Sequence, residues 1–301
     1  MSELELKNVT KWFGDKKAVD IQEMKLESGT IWGFLGPNGA GKTTTIRMIM
    51  QIIKPDQGEI SFDRSPLNLG MMDRIGYLPE ERGLYKKIKL YESLEFFGRL
   101  KGISTSDLKA RIPHYLEKFS LSEYTHRKVE ALSKGMQQKL QFITTIIHQP
   151  DLIILDEPFS GLDPLNAEIL QQTILEESAR GATIIFSTHM MERAEQLCKH
   201  IVMINQGVPV LNDSLAHIKQ QHQNQQIKLI FQGDTSFLND TSLIRSVVSA
   251  DGAYLITLQE SVSSQDLLKR ATAIGTVIHF SQPDPSLFDI FIQIAKKQSA
   301  I

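Results

Sequence analysis

The sequence predicts an α/β fold, a mostly parallel sheet covered by helices on both sides, followed by a small α+β unit. Three observations carry that prediction. Apolar runs at residues 31–35, 152–155, 183–187 and 201–204 alternate with helical patterns, the rhythm of strands joined by crossover helices. The first of those runs feeds a glycine-rich turn that opens straight into a helical pattern. After the polar, glutamine-rich stretch 219–226, a second and shorter series of strand and helix signals begins.

Taken in order, residues 3–10 and 18–26 carry the alternating or apolar patterns of strands. The turn between them, near Gly14-Asp15, is expected to hold the aromatic pair Trp12-Phe13. Residues 31–35 form the next strand, and a helix reads from Thr43 to Ile53 until Lys54-Pro55-Asp56-Gln57-Gly58 stops it. Residues 59–62 and 75–78 read as further short strands. From about residue 84 to 149 strand signals vanish. Leu90, Leu94, Phe97 and Leu100 recur at helical spacing, as do Leu108, Ile112, Leu116 and Phe119. This stretch reads as a helical insertion into the α/β core. The core resumes at residues 151–155, a continuous apolar run suited to a strand buried on both faces. A helix over 165–179, a strand over 183–187, a helix through Cys198 and a strand over 201–204 complete it. The first domain is therefore expected to span 1–218, with a linker at 219–226. In the second domain, 227–301, strands are expected at 227–231, 253–258 and 276–280, with an Asp251-Gly252 turn before the second. Helices are expected at 267–274 and 286–295.

Bulk composition excludes several classes. A chain of 301 residues is long enough for two domains with cores of their own. Lys and Arg number 33 against 35 Asp and Glu, a net charge of −2, which gives no general pull toward nucleic acid. Cys198 is the single cysteine, so no internal disulfide forms and a reducing compartment fits. Met1-Ser-Glu-Leu-Glu5 lacks the basic-then-apolar order of a secretion signal. No run approaches the ~18–20 apolar residues that span a bilayer. The expectation is a cytoplasmic protein able to sit against a membrane through a partner.

The chemistry concentrates in a few segments. Gly36-Pro-Asn-Gly-Ala-Gly-Lys-Thr43 reads G-x-x-x-x-G-K-T between a strand and a helix, the context a phosphate-binding loop requires. Glycines let several N–H groups converge on one anion. The helix adds its unpaired N–H groups and the positive end of its dipole. Lys42 can reach the β- and γ-phosphates, and the Thr43 hydroxyl suits Mg²⁺. The expected nucleotide-binding set is Gly36, Pro37, Asn38, Gly39, Ala40, Gly41, Lys42, Thr43 and Thr44. The run Leu152-Ile-Ile-Leu-Asp-Glu157 ends a buried strand in two acids. Asp156 is placed there to hold Mg²⁺ opposite Thr43, and Glu157 to orient or deprotonate an attacking water. His189 follows the next core strand, where it can hydrogen-bond the γ-phosphate and fix the geometry of that water. Ser133 in Leu132-Ser-Lys-Gly-Met136 is a good helix N-cap. The same geometry offers a hydroxyl, an N–H and a helix dipole to a phosphate. It lies far along the chain from the first loop, so it is expected to face away from its own nucleotide.

These segments in this order, over residues 3 to about 215, resemble the ATP-binding subunit of an ATP-binding-cassette (ABC) transporter. The resemblance implies an α/β P-loop NTPase core of the ABC ATPase type, with a helical insertion and a small C-terminal α+β domain. It makes Gly36 to Thr43 the Walker A loop and Asp156 the end of the Walker B strand. Glu157 becomes the catalytic carboxylate, Ser160-Gly-Leu-Asp163 the D-loop and His189 the switch histidine. Phe13 takes the place of the aromatic that stacks on adenine. Ser133 and Gly135 match the signature loop that caps the γ-phosphate held by the opposite subunit. Two departures stand out. Lys134 and Met136 replace the usual signature residues, and Lys134 either adds charge near the phosphate or points to solvent. Glu80, in Tyr77-Leu-Pro-Glu-Glu-Arg-Gly-Leu-Tyr85, replaces the Q-loop glutamine; its carboxylate can ligate Mg²⁺ while adding negative charge beside the triphosphate. These features are similar to the ATPases of ABC-2 type bacterial exporters, including sodium-extruding systems. The resemblance implies ATP and Mg²⁺ as cofactors, integral-membrane permease subunits as partners, a second ATPase copy in a head-to-tail dimer, and no nucleic acid. It places the protein at the cytoplasmic face of the membrane. The competing reading is a soluble regulatory, translation-associated or DNA-associated ABC ATPase.

Overall fold

A computed structural model describes residues 3–81, 83–222, 226–250, 252–259 and 262–299. The chain divides into two compact units, Met1–Leu215 and Ala216–Ile301.

The first unit opens with strands β1 (Leu4–Phe13) and β2 (Lys16–Leu26), paired antiparallel across Gly14-Asp15. Trp12 and Phe13 are thus the last residues of β1 rather than part of the turn, because Phe13 pairs with Lys16. Gly14, at φ 58°, takes the left-handed conformation the tight turn requires. Strand β3 (Ile31–Leu35) is buried along its whole length, and α1 (Lys42–Ile49) follows it. This helix ends earlier than the expected Ile53. Gln51 turns left-handed at φ 56°, and the Ile52 and Ile53 N–H groups fold back to Arg47 O at 2.9 and 3.3 Å, a C-terminal wrap that satisfies the last carbonyls.

Strands β4 (Gln57–Phe62) and β5 (Ser65–Pro66) join the first hairpin in an antiparallel sheet of order β2-β1-β4-β5. After β6 (Ile75–Leu78) come three helices, α2 (Leu90–Leu100), α3 (Thr105–Lys118) and α4 (Lys134–Ile146). Leu108, Ile112, Leu116 and Phe119 are buried as their spacing predicts, whereas Leu100 is 61% exposed. The buried face of α2 is instead Leu90, Ser93, Leu94 and Gly98, because α3 crosses close at Gly98, where a Cβ would stand 2.3 Å from Leu108 Cδ2. Helix α4 packs back onto β6.

Strand β7 (Leu152–Asp156), helix α5 (Pro164–Ala179), strand β8 (Thr183–Thr188), helix α6 (Met191–Leu197) and the hairpin β9 (His200–Asn205) with β10 (Val208–Ser214) complete the unit. They build a six-stranded sheet of order β10-β9-β3-β8-β7-β6. All neighbours run parallel except β10. Every residue of β3, β7 and β8 is buried, as central strands covered on both faces must be. The carboxyl ends of these three strands open on one edge of the sheet, where α/β folds place ligands.

Helix α7 (Leu215–Gln221) runs into the predicted linker at 219–226, and strand β11 (Gln226–Gly233) starts on its last residue, so half of that polar stretch belongs to regular elements. Residues 223–225 of that linker lie outside the described residues, as does Asp251 of the predicted turn. The second unit forms an antiparallel sheet of order β12-β13-β11-β14, from β11, β12 (Ile244–Ala250), β13 (Ala253–Leu258) and β14 (Gly275–Ser281). Helices α8 (Ser264–Ile274) and α9 (Leu287–Ser299) accompany it. Its core is Ile227, Leu229, Phe231, Phe237, Ile256 and Leu267 with their neighbours. The edge strand β12 was not anticipated, since its Val248 is 58% exposed and no apolar alternation marks it.

Candidate active site

The carboxyl ends of β3, β7 and β8 converge on a cleft of about 580 Å³. Phe13, residues 38–44, Glu80, Asp156, Glu157 and His189 line it, joined by Lys16, Ala18 and Ser160.

The glycine-rich loop owes its shape to backbone that only glycine tolerates. Gly36 sits at φ 146°, and a Cβ there would lie 2.1 Å from Ile204 O. Gly41, at φ 106°, occupies the N-cap of α1, and a Cβ would meet Ala18 O at 2.6 Å. No side chain caps α1 and no acid sits in its first turn, so its leading N–H groups and dipole stay available to an anion. Lys42 is only 7% exposed. Its ammonium donates to Gly36 O at 2.7 Å and Pro37 O at 3.0 Å; these two residues therefore contribute carbonyls rather than cleft surface. Burial lowers the Lys42 pKa, against the pull of Glu157, Asp156 and Glu80. A buried cation resting on carbonyls, beside an uncapped helix start, is complementary to phosphate.

Opposite, Thr43 Oγ1 donates to Asp156 Oδ2 at 3.2 Å. Asp156 is 2% exposed; burial raises its pKa, and the Glu157 charge adds to that, while the Thr43 bond works against it. Two carboxylates competing for charge beside a hydroxyl suit a hard divalent cation. Among the described residues no three His, Cys, Asp or Glu side chains gather around one point. A cation here would therefore complete its shell with phosphate and water, the habit of Mg²⁺.

Glu157 begins the turn after β7 at φ 50°, a left-handed conformation unusual for a non-glycine residue. Its N–H donates to Ser187 O at 3.0 Å. Three donors from the end of β8 hold its carboxylate. Oε1 accepts from the His189 backbone N–H at 2.9 Å and contacts His189 Nδ1 at 2.7 Å, and Oε2 accepts from Thr188 Oγ1 at 3.2 Å. Glu157 and His189, singled out separately in the sequence, thus form one unit. Backbone held off its preferred region at the end of a strand is typical of functional sites.

Phe13 presents a half-exposed ring to the cleft at the tip of the β1–β2 hairpin, with the Lys11 ammonium 5.9 Å from its centroid. Lys16, which the sequence reading missed, lies directly across that hairpin. Its signal was a basic residue opposite an aromatic one, visible only once the strands are paired. Ser133 and Gly135 do not line the cleft. Ser133 caps α4, its Oγ accepting from Met136 N–H at 3.2 Å, and a Cβ on Gly135 would find nothing closer than 3.8 Å.

Comparison with known proteins agrees with this geometry. Residues 19–160 match the ABC transporter family, and residues 214–295 match the C-terminal domain of DrrA1-3-like ATP-binding proteins. The chain is 40% identical to the uncharacterized ABC transporter ATP-binding protein YhaQ of Bacillus subtilis, over 96% of this chain and 97% of that one. It is 36% identical to the ABC transporter ATP-binding protein NatA of the same organism, over 75% and 95%. It is 33% identical to the Nod factor export ATP-binding protein I of Rhizobium sp., over 98% and 97%. A solved structure of an ATP-binding subunit of an ABC transporter superposes with a TM-score of 0.68 at 32% identity, over 72% of this chain and 92% of that one. The chain belongs to the ATP-binding, ATP-hydrolysing subunits of ABC transporters.

Proposed function

We propose that this protein powers export through separate ABC-2 type membrane permease subunits, by binding and hydrolysing Mg-ATP between two copies of itself. The observation that carries the pairing is the separation of the two phosphate-binding features. The loop at residues 36–43 lines the cleft, and Ser133 and Gly135 do not. A second chain in head-to-tail orientation supplies the missing cap over the γ-phosphate.

In this reading Phe13 stacks on the adenine and the α1 N-terminus cradles the phosphates. Lys42 neutralises their charge. Thr43, Asp156 and Glu80 hold the cation, whose contribution is to polarise the phosphoryl group. Glu157 takes the proton of the attacking water, and His189 keeps its carboxylate aimed. The relatives named as export proteins support the direction of transport. An exposed aromatic patch supports the permease contact: Tyr85, Ile88, Glu92 and Phe96 line a mostly apolar hollow of about 360 Å³, in the stretch of chain that follows Glu80 and Glu81. Tyr85 is 57% and Phe96 41% exposed, with their rings edge-on at 5.5 Å. No described helix is long and apolar enough to cross a membrane; in this reading the membrane path is the permease's.

The test is Glu157→Gln. It should retain ATP binding, lose hydrolysis by about 10²–10⁴-fold, and accumulate a dimer in Mg-ATP by light scattering. Normal turnover in that variant would remove Glu157 from its role. A strictly monomeric, ATP-saturated variant would remove the pairing.

A further inference from the structure

Lys139, on the second turn of α4, is 5% exposed. Its ammonium donates to Asn166 Oδ1 at 2.9 Å, and the nearby charge that favours it is the Asp163 carboxylate. Asn166 in turn donates its backbone N–H to Asp163 Oδ1 at 2.9 Å and its side-chain amide to Asp163 Oδ2 at 2.5 Å. A hydrogen-bonded chain thus runs from α4 through Asn166 to the cap of α5. One residue earlier, Gln138 donates to Pro158 O at 3.1 Å, the carbonyl immediately after Glu157. Both ends of the segment from Glu157 to Asn166 are therefore fastened to adjacent side chains of the helix that Ser133 caps.

Fold stability does not require a buried ammonium resting on a neutral amide, because an apolar chain of the same length would fill the space without desolvation cost. We infer that Lys139 is a positioning residue, assisted by Gln138, which ties the location of Glu157 to that of the Ser133–Gly135 end of α4. A displacement of the α4 start then moves the catalytic carboxylate with it, so capping of the γ-phosphate in the partner's pocket and alignment of the base in this chain's own pocket become one event. This rests on the proposed role of Glu157, but it makes separate demands.

The experiment compares Lys139→Met, Lys139→Arg, Asn166→Ala and the Lys139→Met/Asn166→Ala double variant in the full chain, with Mg-ATP as substrate. The expected result for Lys139→Met is a kcat at least about tenfold lower, since misplacement of a reacting group is costly. Its affinity for a fluorescent ATP analogue should be unchanged, and its thermal midpoint equal to or above that of the parent. Lys139→Arg should recover most of the rate. The double variant should be no slower than the slower single variant, because both act through one bond. An unchanged kcat in Lys139→Met overturns the inference. So does a loss that tracks a lower thermal midpoint without recovery in Lys139→Arg, which would mark a packing role. If Lys139→Met does not fold, Asn166→Ala alone decides, by the same split between kcat and affinity. Failure here with an inactive Glu157→Gln leaves the catalytic assignment standing; an active Glu157→Gln removes that assignment first.

Discussion

Burial acts on Lys42 and Asp156 in opposite directions, lowering the proton affinity of one and raising that of the other, so the folded state disfavours the charge on each. In the proposed function both charges are kept for the ligand. Lys42→Met should therefore lose ATP binding while its thermal midpoint stays level or rises, a separation that calorimetry and nucleotide titration read together. His148 shows the same principle away from the cleft. Burial, with Lys101 nearby, pushes its pKa from 6.5 down to about 4, and its Nε2 lies 3.3 Å from Ile75 O. A histidine with a depressed folded pKa is neutral in the fold, so the unfolded chain binds more protons between these values. Stability is full above pH 6.5 and falls as the pH drops toward 4. His148→Gln should flatten that limb in urea titrations at stepped pH. The gathering of Lys42, Thr43, Asp156, Glu157 and His189 at one cleft was legible because motif and strand position coincide. Lys16 and Lys139 were not: the first faces Phe13 only once the hairpin register is set, and the second is defined by Asn166 on a facing helix, far along the chain.

Among the elements, α4 ties together several parts of the site. It begins at Ser133, holds Pro158 and Asn166 on one side, and donates through Gln141 Nε2 to Glu81 O at 3.2 Å. Its fit against β6 depends on Gly76, where a Cβ would lie 2.3 Å from Thr145 O. That obstacle is backbone and cannot rotate away. Gly76→Ala should cost about 2–4 kcal/mol in urea unfolding, as overpacking against a fixed group does. Strands β3, β6 and β13 have the bounds their residues predicted, since apolar runs ended by turn residues leave little choice. The end of α1 and the strand β12 were less visible. A left-handed Gln51 and a half-exposed edge strand are settled by hydrogen bonds that composition does not encode.

For the whole molecule, the division at Leu215 and Ala216 separates two cores that share no residue. The glutamine-rich stretch from 219 marks a change of character in the sequence a few residues further on, and nothing in the sequence marks the antiparallel order of the second sheet. Coupling to the permease is proposed to run through the aromatic hollow, and Tyr85 belongs to no part of the catalytic machinery. Tyr85→Glu should leave basal ATP hydrolysis within about twofold while abolishing co-purification with a polytopic membrane protein, as a charge buried in an apolar contact would. In the proposed head-to-tail pair, with Ser133 and Gly135 off the cleft of their own chain, two different defects become mutually correctable. Chains carrying Lys42→Ala and chains carrying Ser133→Arg would each be inert alone. Blended in equal amounts, they would regain up to about a quarter of the parental turnover, the share of intact pockets that random pairing restores.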